Sequence, residues 1–247
     1  DLHKPIIIPK EFDSKKFGTN EYERSISVTD YWLGKFLEKI DLESTLVIIT
    51  ADHGEYVSNS NTRDLDYEPE FKNMIKIGSI LLPKLFRSRT KKIIKNIKNF
   101  IKNMRFNNAT KDLTELQKRN LRTRAGWYLY DDLIRVPLIF TGNYISQTKT
   151  IDNQVATIDI FPTILDLIGL PSMDDKIDGR SLVPLLNNES FIENSIYIES
   201  ASVTPTELTG NVVGIRNPQY KYFRSRKSSK VNVHLYDLKT DPFEESN

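Results

Sequence analysis

The chain has 247 residues, with 35 lysines and arginines against 33 aspartates and glutamates, 38% hydrophobic residues and no cysteine. That length supports one large domain or two smaller ones around a sizeable core, and no apolar run approaches the roughly 20 residues of a membrane-spanning helix. The missing cysteines exclude disulfides, thiolate zinc sites and a cysteine nucleophile within these residues, and leave cytoplasmic and exported locations both open.

The chain opens on Asp1-Leu2-His3 without a methionine, as a processed or partial chain would. Residues 1–18 carry prolines and no period and read as loop. Asn20 and Glu23 have the spacing of a capping box. Tyr22, Ile26, Thr29, Leu33, Phe36, Leu37 and Ile40 then recur at helical spacing, with Trp32 assigned to the core. The run TLVIIT at 45–50 shows no alternation. It predicts a strand covered on both faces, suited to a central parallel position. It stops at Asp52, His53 and Gly54.

Residues 56–122 differ in character. KLFRSRTKKIIKNIKNFIKNMR, at 84–105, is dense in lysine and arginine. Ile93, Ile97, Phe100, Ile101 and Met104 give it an apolar stripe, so it predicts a basic amphipathic helix within an insertion. RVPLIFTG at 135–142 reads as a second buried strand. TIDIFPTILDLIGLP at 157–171 reads as a helix starting near Thr157 or Asp159. It takes Pro162 in its first turn, ends at Gly169 and is stopped by Pro171. SIYIES, NVVGIR, QYKYFRS and VNVHLYDL alternate at short spacing, which predicts a small antiparallel sheet.

Chemistry in open α/β sheets gathers beyond the carboxyl ends of the strands. Aspartate and neutral histidine are both ligands for divalent metals, and neighbours at a strand end reach one ion from two sides. Gly54 would let the backbone turn beside it. The plainer alternative is that Asp52 caps a following helix.

TADHGE, LYDDLIRVPLIF, DIFPTILDLIGLP, DGRSLVPLL and YKYF…HLYDLKTDPFEESN occur in one order. Together they resemble the latter half of a type I sulfatase of the alkaline phosphatase superfamily, over almost the whole chain except 56–122. The resemblance implies an α/β fold, an alkaline phosphatase-like α/β/α sandwich present here in part. Residues 1–55 and 123–190 would form its core, 56–122 a basic helical insertion, and 191–247 a C-terminal antiparallel sheet subdomain.

The implied enzyme is a hydrolase of sulfate monoesters. Its nucleophile is a formylglycine made within C/S-x-P-x-R. Its divalent cation is usually calcium, with manganese, magnesium or zinc as alternatives. Two early acidic residues and a later Asp with Asn or His hold that ion, and Asp52 and His53 match the later pair. No S-x-P-x-R is present, so the resemblance places no catalytic nucleophile in this chain. It implies the C-terminal part of a longer enzyme, with the formylglycine upstream. His3 resembles the histidine of an H-x-P element that contacts the sulfate group, against a plain reading as a solvated residue. Arg124-Ala125-Gly126-Trp127 falls where relatives often have G-K-G or G-H-G. Ala125 stands at the cation's place, and Arg124 is the neighbour that could reach in.

A sulfated small molecule or glycan is the implied substrate. Residues 84–105 are a solvated face over a core-packed stripe, a contact for an anionic membrane surface, or a guide for a polyanion. Nucleic acid is not expected, since no reading motif accompanies the charges. Rival functions are phosphoester or phosphonate hydrolysis, phosphoglycerol or phosphoethanolamine transfer, and a catalytically silent binding homologue. Asp131, Asp132 and Arg135 read as an element end held by ion pairs, Asp159 as a helix cap, and Asp178-Gly179 and Asp241-Pro242 as turns.

Overall fold

The structure, a computed structural model, describes residues 6–57, 87–121, 129–171, 177–201 and 211–246. The chain divides into two compact units, residues 1–57 with 123–247, and residues 58–122.

In the first unit, a 3-10 turn at Lys10–Phe12 leads to helix α1, Glu21–Leu37. Asn20 caps it, its side-chain oxygen accepting the Glu23 N–H at 2.9 Å. The Glu23 carboxylate returns to the Thr19 N–H at 2.6 Å, one residue further out than the capping box predicts. Phe12 is buried against this helix, 4.8 Å from the Phe17 ring and 5.4 Å from that of Tyr31. Trp32 is not core: it is 62% exposed, and Phe36 is 61% exposed. The helical period identified an apolar stripe, but none of its residues is fully buried: Tyr22, Leu33, Leu37 and Ile40 are half-buried, and Ser25 is the one buried residue of α1.

Strand β1, Val47–Thr50, follows. It pairs with β2, Leu138–Thr141, and the pairing is antiparallel, from Val47 opposite Thr141 to Thr50 opposite Leu138. The parallel, doubly covered strand expected from 45–50 is therefore corrected. An unbroken apolar run reports how much surface a strand offers for burial; it carries no information on direction. Among the described residues the ladder has two strands, β1 is half-buried with Thr50 exposed, and Ile139 of β2 is exposed. Beyond β2, Gly142 has φ 116° and its Cα lies against the Thr45 carbonyl, while the Asn143 N–H reaches the Leu42 carbonyl at 2.8 Å.

Between the two strands lies the single-turn helix α4, Asp131–Ile134. Helix α5, Ile160–Leu167, continues a 3-10 turn at Thr157–Asp159 and buries Pro162, Thr163 and Leu165. Gly169 ends it at φ 71°, with the Leu170 N–H on the Leu165 carbonyl, a left-handed stop of the kind glycine provides. A short helix α6 at Val183–Leu186 precedes the C-terminal sheet. That sheet is an antiparallel meander of β3 (Ile196–Ala201), β4 (Asn211–Arg216), β5 (Tyr220–Ser225) and β6 (His234–Asp237), as the sequence predicts. One side of it closes over Leu129, Tyr130, Val212, Phe223 and Tyr236.

The second unit contains helices α2, Arg87–Ala109, and α3, Glu115–Leu121. Phe106 and Leu121 are buried, whereas Ile97, Phe100 and Met104 are exposed, so those three do not form a core-packed stripe. Among the described residues no helix is long and apolar enough to cross a membrane.

Candidate functional site

Asp52 and His53 leave the carboxyl end of β1 and are both exposed. The Asp52 Oδ1 accepts the His53 N–H at 3.0 Å. His53 Nδ1 lies 2.7 Å from the Gly54 carbonyl. A carbonyl only accepts, so Nδ1 carries the proton, and in the neutral ring the lone pair sits on Nε2. That Nε2 is 3.8 Å from Asp52 Oδ2. Two donors bound to one divalent ion at about 2.0–2.6 Å each come this close to one another. The pair therefore fits as two ligands of one cation, although among the described residues no group of three or more metal-binding side chains gathers. The helix-cap alternative has no helix to serve within the described residues 51–57.

Gly54 fixes where this loop sits. Its N–H donates to the Leu133 carbonyl of α4 at 2.7 Å, and a Cβ at this position would lie 2.0 Å from the Asp132 carbonyl oxygen. Only a residue without a side chain permits that approach.

A buried charge cluster in turn holds α4. Arg216 of β4 grips Asp131 with Nε at 3.1 Å and Nη2 at 2.8 Å, a bidentate contact. Lys221 of β5, fully buried, donates to the Leu129 carbonyl at 2.9 Å and to Asp131. It also pairs with Glu244 at 2.5 Å. The Glu244 Oε2 accepts the Asp131 N–H at 2.7 Å, and Arg216 Nη1 also reaches Gln154. Burial alone would raise the Asp131 carboxyl, but the hydrogen bonds and charges of Arg216 and Lys221 outweigh it and hold it below the usual range. At Glu244 burial prevails over Lys221 and the Asp131 N–H, and its carboxyl is raised.

Asp131 thus sits in an ion-paired element end, as the sequence predicts. Lys221 and Glu244 were not singled out by sequence reasoning. The available signal was strand parity: Lys221 falls on the same side of β5 as Phe223 and Ser225, all three buried. His3, Arg124 and Ala125 lie outside the described residues. Asp159 makes no side-chain cap to α5 itself, but it is buried and caps the 3-10 turn that opens the helix, accepting the Ala156 N–H at 2.9 Å, and it also accepts the Arg180 N–H at 3.0 Å. It thereby also joins the helix entry to the segment after Asp178-Gly179.

The fold is of the alkaline phosphatase type, as its likeness to solved sulfatases shows. The chain belongs to the sulfatase family, whose sequence profile matches residues 10–170; that of N-sulphoglucosamine sulphohydrolase, C-terminal, matches residues 124–247. Arylsulfatase K of Mus musculus is 29% identical over 124 residues, covering 48% of this chain and 22% of that protein. Delta 4,5-hexuronate-2-O-sulfatase of Bacteroides thetaiotaomicron is 34% identical over 122 residues, covering 48% of this chain and 25% of that protein. A solved 2-O GAG sulfatase superposes with a TM-score of 0.55 at 21% identity, over 97% of this chain and 42% of the other. A structure held with its substrate D-glucosamine-2-N,6-O-disulfate gives 0.50 at 18% identity, over 92% and 36%. These structural likenesses establish the fold. The matches span about a quarter of the length of the curated relatives.

Proposed function

We propose that this chain supplies the later half of the active site of a metal-dependent sulfuric ester hydrolase acting on sulfated sugars. The observation that carries the reading is the 3.8 Å approach of His53 Nε2 to Asp52 Oδ2 at an open strand end. Asp52 and His53 would hold one divalent cation, calcium in the first instance, with manganese, magnesium or zinc as alternatives. When bound, it would polarise the sulfate oxygens and favour attack at sulfur. Asp52 contributes a carboxylate to that ion, and His53 a ring whose tautomer the Gly54 carbonyl fixes. His3 and Arg124 would contact the sulfate group, and a formylglycine nucleophile would come from a segment outside these residues.

Two features support a partial active site completed from elsewhere. Trp32, Phe36 and Ile139 leave apolar surface open on α1 and β2. The chain also spans 42% of a solved sulfatase that it otherwise matches along 97% of its own length. The sulfated-sugar assignment rests on relatives named for a hexuronate 2-O-sulfate and a glucosamine disulfate.

The exposed Ile97, Phe100 and Met104 share α2 with Lys102 and Arg105. An apolar stripe beside positive charge suits an anionic membrane surface better than a soluble polyanion, which would leave the stripe in water. Co-sedimentation with vesicles tests this, and binding independent of anionic lipid removes it.

The hydrolase reading is tested by assaying the full-length protein on aryl sulfate, phosphodiester and phosphonate monoester substrates, with and without calcium or manganese. Metal-dependent turnover of the sulfate, lost in Asp52→Asn, is the expected outcome. Preference for a phosphorus ester would move the assignment to a phosphorus-ester relative. No turnover on any substrate would favour a silent homologue, for which Ala125 is the sequence argument.

A further inference from the structure

We propose that Lys221 and Glu244 are positioning residues for the Asp52-His53-Gly54 loop, acting through α4; this rests on the reading of that loop as the metal-holding element. Helix α4 has four residues. An isolated turn of that length is far too short to persist unaided, so its place must be set by what binds it.

Three groups at its entry are held in this way. The Leu129 carbonyl is taken by Lys221, the Asp131 N–H by Glu244, and the Asp131 carboxylate by Lys221 and Arg216. The cluster balances two cations against two carboxylates. The Lys221 and Glu244 side chains are 0% and 1% exposed, so neither can swing aside. Glu244 is also kept in a conformation unusual for its type, at φ 55°, a left-handed region that glycine would occupy with less strain. The turn that holds it there is the Asp241-Pro242 segment: the Glu244 N–H meets the Asp241 carbonyl at 3.1 Å, and the Asp241 carboxylate accepts the N–H groups of Glu245 and Ser246.

From α4 the constraint passes to the loop without slack. Gly54 donates to the Leu133 carbonyl and lies too close to the Asp132 carbonyl for even a methyl group to intervene. A displacement of α4 must therefore displace Gly54, and with it the carbonyl that orients His53. The last residues of the chain, through β5 and the Asp241 turn, set the geometry of a loop some two hundred positions earlier.

Native-state hydrogen exchange on the full-length protein tests the proposal, because it reads the Gly54 amide whether or not a metal is bound. Lys221→Met and Glu244→Ala are expected to speed Gly54 exchange by at least about tenfold, leaving the amides of β1 unchanged. Glu244→Gln keeps an oxygen to accept the Asp131 N–H and should restore protection. If Lys221→Met fails to fold, the Ala and Gln variants at 244 carry the test. Unaltered Gly54 exchange, or acceleration equal to that of β1, overturns the proposal.

Calcium titration of the same variants should show affinity about tenfold weaker in Glu244→Ala, the scale of a lost outer-sphere contact. If Asp52→Asn and His53→Ala leave calcium affinity unchanged, the metal reading fails, and the exchange data still decide the positioning role.

Discussion

The C-terminal sheet and the segment carrying α1, β1 and β2 belong to one compact unit, yet they are completed to different degrees. The sheet buries Phe223, Val212 and Leu129 almost entirely, because a four-stranded meander brings its inward residues together through short connections and needs only one cover. The two-stranded β1–β2 ladder cannot enclose itself, and α1 leaves Trp32 and Phe36 open. The candidate metal loop grows from the incomplete part. Its position is set across α4 by the completed part, so a candidate metal loop at the edge of an open layer is held by a charge cluster in a closed one.

The sharpest way to break that contrast is Lys221→Met. It leaves Asp131 and Glu244 buried without their shared cation, and removing one partner from a buried pair costs about 3–5 kcal/mol. The matched case at the surface is the half-buried Lys118, which pairs with the exposed Glu115 at 2.8 Å on α3. Lys118→Met is expected to change stability by less than about 1 kcal/mol. Denaturant midpoints of both variants measure the difference; equal effects would mean that the Lys221 cluster is not a special feature of the completed half.

The junction between the halves comes next. Gly54→Ala drives a methyl group into the Asp132 carbonyl, 2.0 Å from its ideal position. Overpacking of this kind typically costs about 1–3 kcal/mol. Because the strain falls between the loop and α4, calcium affinity should drop as well. Unchanged affinity and stability would show that the two elements are not in register as described.

Much of this was legible in the sequence, and the reason differs element by element. Asn20 and Glu23 announced the start of α1 because capping is local chemistry. Gly169 and Pro171 announced the end of α5 for the same reason. The meander was legible from alternation, since one covered face imposes a period of two. The direction of β1 was not, because TLVIIT carries no directional information. Trp32 was misplaced because a helical period shows which residues share a face, while burial depends on what arrives to cover it. Asp52, His53 and Gly54 could be singled out as a group. The cluster that holds them could not, because Lys221 and Glu244 are more than 150 residues away and meet Asp131 only through tertiary register.

Acid titration sharpens the comparison on a smaller scale. The Asp131 carboxyl is held low, so its contribution to stability is present above the ordinary carboxylate value of about 3.9. That contribution is lost as pH falls through its lowered folded value. Glu244 is raised, so its sign is reversed: the contribution is present below its ordinary value and disappears as pH rises through the folded one. Asp131→Asn should therefore flatten the acid limb of a denaturation-midpoint profile. Glu244→Gln, which fixes a neutral group, should remove the decline on the rising side. Variants that both track the wild-type profile would remove these carboxyls from the account.

The smallest expected effect tests the open half directly. Gly34 lies inside α1, and a Cβ there would meet nothing within 4 Å. Glycine in a helix interior is less favourable than alanine by about 1 kcal/mol, because it has more conformational freedom to lose. Gly34→Ala should therefore stabilise the protein by about that amount, read as a raised denaturant midpoint. The sign carries the argument: a gain means that the Gly34 face of α1 stays open in the full-length protein. A loss means that another segment approaches the helix closely at Gly34, on the side of α1 opposite Trp32 and Phe36.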